Sequence, residues 1–269
     1  MKNTILAIVY LFLGIAAAAL LAYVIITHEQ KQDARIRELE KAVEELGKQK
    51  STDETEDPDE TGKTASEEEF KYLAIGNSLT IHVKCDYWWN VIGMAATTAE
   101  KDYVHIVTKA LEEKHGKVSA EAINFSAWEI QAHDRSETIA TIDKYLTEDL
   151  DLVTLQLSEN VTDLSTFTQD YMYLVNYIKE KCPDAQVITI DEFWDNGKAS
   201  LKKRVAEKCG VGFADLSAIR GLPEYQCGYG TVVYGDDGAE HKVLHTGVSG
   251  HPGDKGMQYI ADAVIALLE

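Results

Sequence analysis

Two short segments carry residue types that together could do acyl-transfer chemistry. In the first, the apolar run Tyr72–Ile75 ends in Gly76-Asn77-Ser78-Leu79-Thr80; in the second, Gly250-His251-Pro252-Gly253 leads into an amphipathic stretch. A serine hydroxyl is a weak nucleophile until a base takes its proton and hydrogen-bond donors stabilise the oxyanion formed on attack. Ser78 is the candidate nucleophile and His251 the candidate base. Gly76 permits a tight turn, and the amides that follow can favour negative charge at the opening of a helix. Taken singly, each has an ordinary reading: Ser78 as a turn-capping serine, His251 as a histidine before proline at a helix start.

Metal chemistry has little support. Cys85, Cys182, Cys209 and Cys227 form no CxxC pair and no Cys/His cluster at zinc spacing, so neither a metal nor another cofactor is expected.

The elements that must position Ser78 and His251 alternate. Apolar runs near 72–78, 118–124, 152–157, 187–190 and 212–216 read as strands. Between and after them, 101–115, 135–146, 166–181, 198–208 and 254–268 read as amphipathic helices. Such alternation implies right-handed βαβ crossovers and a mainly parallel sheet covered on both faces. Ligands bind outside the carboxyl ends of such strands. That rule selects Ser78, the 124–129 turn, 158–160 and the 191–196 turn. The segment TVVYGDDGAEHKVLH reads as a hairpin inserted before His251.

With those elements set out, AIGNSLT resembles the first block of the SGNH/GDSL hydrolases, Gly-Asp-Ser followed by a hydrophobic residue and Ser/Thr; Asn77 stands where Asp is common. Asn124 in AINFSAWE resembles the second block, Asn160 in LQLSEN the third, and His251 in GHPGDKGMQYIADA the last. The resemblance spans about 72–268. It implies a flavodoxin-like three-layer α/β/α fold and a serine esterase. Ser78 would attack the ester carbonyl, His251 would shuttle the proton, and the Asn160 side chain with the Ser78 amide would hold the oxyanion.

Two departures accompany it. Counting from Asn124 puts Ser126 and Glu129 at the second block's glycine positions, so a third backbone donor is in doubt; Glu129 is either a cleft residue orienting His251 or binding substrate, or a surface carboxylate. Val248 holds the position of the acid that usually precedes the histidine by three. Either a backbone carbonyl holds the imidazole, or Asp191, Glu129 or Asp254 substitutes. Substrate-facing candidates are Tyr87, Trp88, Trp89, Trp128, Phe193, Trp194 and Tyr225, in predicted loops at the catalytic edge, where they either offer platforms to a sugar or pack a lid over the core. Cys85 with Cys227, and Cys182 with Cys209, could each form a disulfide outside the cell.

The chain has 269 residues, 26 Lys and Arg against 45 Asp and Glu, and a net charge of -19, which argues against a nucleic-acid ligand. The stretch 4–26 is uncharged and long enough to cross a bilayer, so residues 1–27 read as a signal anchor, the rival being a cleaved signal peptide. Residues 28–50 carry Ile36, Leu39, Val43 and Leu46 at heptad spacing. This seam is either a weak homodimerising stalk or a plain solvated helix. Residues 51–69 hold nine carboxylates against Lys63 and read as a flexible tether. Residues 70–269 form the expected catalytic domain, outside the cytoplasm.

The expected function is therefore removal of acyl groups, acetyl above all, from carbohydrate or other small esters. An O-acyltransferase using the same site, a non-catalytic glycan-binding surface protein and a lipase are the alternatives.

Overall fold

The computed structural model describes residues 69–131 and 135–269. The expected anchor at 1–27, stalk at 28–50 and, except for Glu69, linker at 51–69 lie outside the described residues. Among the described residues no helix is long and apolar enough to cross a membrane.

From its amino end the chain forms β1 (Phe70–Gly76), α1 (Tyr103–His115), β2 (Val118–Asn124), the short α2 (Ser126–Ile130) and α3 (Ser136–Ile139), then β3 (Leu152–Gln156), α4 (Phe167–Lys181), β4 (Gln186–Ile190), α5 (Ala199–Cys209) and β5 (Gly212–Ala214). A hairpin of β6 (Val232–Tyr234) and β7 (Glu240–Lys242), the short α6 (Thr246–Ser249) and the closing α7 (Asp254–Ile265) complete it.

The five main strands are all parallel, in the order β2-β1-β3-β4-β5. This order places a topological switch at β1, which is where an open α/β sheet forms its ligand crevice. Side chains alternate across the sheet as the strand period requires. Tyr72 and Ala74 of β1 join the cluster under α1 and α7, whereas Leu73 and Ile75 join the cluster under α4 and α5. The sheet therefore has an apolar layer on each face, which gives the three-layer α/β arrangement expected.

Boundaries differ for local reasons. The helix expected from 101 begins at Tyr103, because Asp102 caps it by accepting from the His105 amide at 2.8 Å. The helix expected over 135–146 is one α-helical turn followed by a 3-10 helix at Ala140–Tyr145. The four cysteines are free thiols; burial of Cys182 at the end of α4 pushes its thiol up to about 11.

Candidate active site

Strand β1 delivers Ser78 to the carboxyl edge through a turn that depends on Gly76. A Cβ there would run into Thr80 Oγ1 and the Gln156 carbonyl. Asn77 shapes the next step: its carbonyl accepts from the Thr80 and Ile81 amides at 3.0 and 3.1 Å, and its Oδ1 from the Leu79 amide at 3.0 Å. The Ser78 hydroxyl is thereby turned outward. Its main-chain amide has no hydrogen-bond partner among the described residues, so it is available to an anion.

His251 arrives from the far end of the chain. α6 and the turn Gly250–Gly253 are fixed by the His251 amide on the Val248 carbonyl at 3.0 Å and by the Cys227 amide on the His251 carbonyl at 2.8 Å. The indole Nε1 of Trp194 donates to the Gly250 carbonyl at 2.9 Å. The same indole meets the imidazole edge to face, with centroids 5.0 Å apart. In this setting Ser78 Oγ lies 2.9 Å from His251 Nε2, although 173 residues separate them in sequence.

The other ring nitrogen, Nδ1, is 2.8 Å from the Gly247 carbonyl oxygen. A carbonyl only accepts, so Nδ1 carries the proton and Nε2 presents its lone pair to the serine. Burial pushes the imidazole down to about 4; the Gly247 carbonyl opposes this, and His82 and His245 add to it. His251 is therefore neutral near pH 7, which is the form a base needs.

Of the alternatives weighed for the missing acid, the backbone carbonyl is the one found. Val248 points into the core. Asp191 pairs with Arg220 and accepts from the Leu216 and Glu192 amides. Asp254 accepts from Thr97 through its amide at 2.8 Å and its hydroxyl at 2.7 Å, at the first turn of α7.

Glu129 corrects both readings made from sequence. It neither touches His251 nor lies on the surface: it is 1% exposed. Its Oε1 accepts from Asn77 Nδ2 at 3.0 Å and the Ser158 amide at 2.6 Å, and its Oε2 from Asn160 Nδ2 at 2.7 Å. The exposed Asn160 keeps its second amide proton for the cleft.

Asn124 and Ser126 bond to each other. Asn124 Oδ1 accepts from the Ser126 hydroxyl and amide at 2.7 and 3.1 Å, and Asn124 Nδ2 reaches the Ile81 carbonyl at 2.8 Å. The Ser126 amide is thus engaged inside its own turn, while Asn124 ties that turn to the loop after Ser78.

Two of the tryptophans expected at the substrate are not there. Trp88 and Trp128 are both 0% exposed; Trp88 packs in the core under α1 and α7, and Trp128 against Phe167 and Tyr171. Their large apolar surface gains more from burial than a rim position offers. Trp89 and Trp194 remain partly exposed, Trp89 stacked on His241 at 4.3 Å. Tyr87, stacked on His245 at 4.2 Å, is exposed.

A second buried carboxylate, Glu159, accepts from Asn77 Nδ2 at 2.9 Å. Burial raises its pKa, with Lys202 pulling it back and Glu129 adding to the rise. Among the described residues no group of three or more His, Cys, Asp or Glu side chains could hold a metal ion.

Sequence reasoning offered a backbone carbonyl as the imidazole's partner without naming Gly247; it missed the bridging amide of Asn77 and the buried Glu129–Glu159 pair. Val248 was the signal for the first, since an apolar residue at the acid position leaves the backbone to hold the ring. Asn77 was visible only as a departure from pattern.

No family model matches this sequence, and no curated protein matches it. Solved structures do. The chain is similar to phospholipase A1 from Streptomyces albidoflavus NA297, at 13% identity and TM-score 0.48 over 75% of this chain and 100% of that one. It is similar to an extracellular lipase from Streptomyces rimosus, at 14% and 0.45 over 74% and 100%. It is similar also to a family two carbohydrate esterase from Clostridium thermocellum in complex with cellohexaose, at 17% and 0.45 over 74% and 63%.

Proposed function

We infer that this chain is a serine esterase of the SGNH/GDSL type, held at the outer face of a membrane and removing acyl groups, acetyl above all, from carbohydrate. The observation that carries the reaction is the 2.9 Å approach of Ser78 Oγ to His251 Nε2. Ser78 attacks the ester carbonyl as His251 takes its proton; the imidazolium returns that proton to the leaving alcohol, and water, activated by the same ring, releases the acid. The Ser78 amide and the free amide proton of Asn160 are the donors for the oxyanion.

Support for a carbohydrate alcohol comes from the partly exposed rings of Tyr87, Trp89 and Trp194, which offer flat apolar faces to a sugar. Support for the membrane setting is the uncharged stretch 4–26.

A fluorophosphonate probe tests the nucleophile directly. Labelling of the folded protein that disappears in Ser78→Ala is the expected result; a folded, unlabelled wild type would leave a binding module instead. Nitrophenyl esters of increasing chain length rank the acyl group. A preference for long chains over acetate would replace the carbohydrate reading with a lipase.

A further inference from the structure

We propose that Glu129 is a positioning residue that sets the direction of the Asn160 oxyanion donor. The inference rests on the esterase reading and deepens it. Positions 77 and 129 are two places where the sequence departs from the resembled pattern, and in the fold their side chains are bonded to each other at 3.0 Å.

Glu129 stands in α2, just after β2, yet every donor it accepts comes from the ends of β1 and β3. Asn77 contributes its amide; the β3 loop contributes the Ser158 amide at 2.6 Å, the Asn160 amide at 3.4 Å and the Asn160 side chain at 2.7 Å. An ionised carboxylate is acceptor-only and has sites for all four. Charge-assisted bonds of this kind are about twice as strong as neutral ones.

Two features of the β3 loop need such a clamp. Ser158 has φ of 140°, a conformation that L side chains rarely adopt and that persists only where the surroundings hold it. Asn160 is exposed, so without a fixed bond its amide plane would rotate freely. Oxyanion stabilisation depends on donors aimed before the charge develops, and a loose donor forfeits most of its effect. Fixing one amide proton of Asn160 on a buried, immobile carboxylate fixes the direction of the other.

The test is a double-mutant cycle on the full-length protein with nitrophenyl acetate. Glu129→Gln offers a single oxygen in place of two, so the Ser158 amide and the Asn160 side chain can no longer both be held. kcat should fall about tenfold or more, with KM within about twofold. Glu129→Gln added to Asn160→Ala should lose nothing beyond Asn160→Ala alone, because the carboxylate acts through that amide. Wild-type kcat in Glu129→Gln, or losses that multiply in the double variant, overturns the assignment. If Glu129→Gln gives no cooperative melt, Glu129→Asp, which keeps the charge on a shorter arm, runs the same cycle. Ser78→Ala, run alongside, separates the two levels: turnover that survives it overturns the nucleophile reading, whereas turnover lost in Ser78→Ala but indifferent to Glu129 overturns the positioning role alone.

Discussion

His251 donates its Nδ1 proton to the main-chain carbonyl of Gly247, four residues earlier, at 2.8 Å. The bond sets the tautomer as a carboxylate would, but it brings no negative charge to stabilise the imidazolium. Burial therefore dominates the ring's proton affinity, and the proposed esterase would work as a dyad with a weakly basic histidine.

The first expectation concerns pH. With His251 pushed down to about 4, the base is neutral above that value, so kcat/KM should rise through about pH 4 and stay flat across the range where an ordinary histidine titrates. Stability should move the same way. The unfolded imidazole binds its proton near its usual 6.5 and the folded one only near 4, so His251 favours folding above 6.5 and loses up to about 3 kcal/mol as pH falls through that window. A pH–rate profile centred at 6.5 would contradict the burial of the ring.

Restoring an acid to the position before the histidine should fail. Val248 is buried in the core beneath α1 and α7, so Val248→Asp would introduce an unpaired carboxylate among apolar side chains rather than aim one at Nδ1, which the Gly247 carbonyl already occupies. We expect a lower melting temperature, by an amount reflecting several kcal/mol, and no gain in kcat. A faster Val248→Asp enzyme would mean that the loop can rearrange into a triad.

The strand-end rule found Ser78, the 124–129 turn, 158–160 and Trp194 because a parallel sheet brings every β-to-α turn to one edge whatever the side chains are. Pairing Ser78 with His251 came from ordered motifs and held as geometry. What stayed illegible was direction. Trp88 and Trp89 are neighbours in sequence, yet Trp88, bridged to Cys85 across a tight turn, is sealed in the core, while Trp89 is partly exposed and stacked on His241. Glu129 reads as a carboxylate either of the cleft or of the surface. Only the fold reveals that donors from two other strands converge on it, and such long-range satisfaction has no local signature.

Asn160→Ala tests the oxyanion site itself. Its side chain is exposed and its removal leaves Glu129 with donors from Asn77 and Ser158, so the fold should tolerate the change. We expect kcat to drop about 10²-fold or more with KM little altered. Fluorophosphonate labelling should slow but persist, since Ser78 and His251 remain. An unchanged kcat would show that another group holds the oxyanion.

Lys202 of α5 tests the electrostatics beneath the site. It is 0% exposed, donates to the Ile190 carbonyl and lies 5.6 Å from the Tyr171 ring. Burial lowers its pKa, and Glu159, Asp191, Glu129 and Glu192 oppose that fall. Because Asn77 donates one neutral amide to both Glu129 and Glu159, it cannot cancel their charge; Lys202 supplies the compensation. Lys202→Met should therefore lower the melting temperature near neutral pH, because it removes the positive charge that offsets these buried carboxylates. The loss should shrink on acidification. The Glu159 carboxyl is already raised by burial and rises further without the ammonium, so it takes up a proton before an ordinary carboxylate does and the uncompensated charge disappears. Melting curves of wild type and Lys202→Met across pH 5–8 read this directly: the gap should narrow toward pH 5, and a gap that is constant or widens there would remove the ammonium from the balance of this acidic cluster.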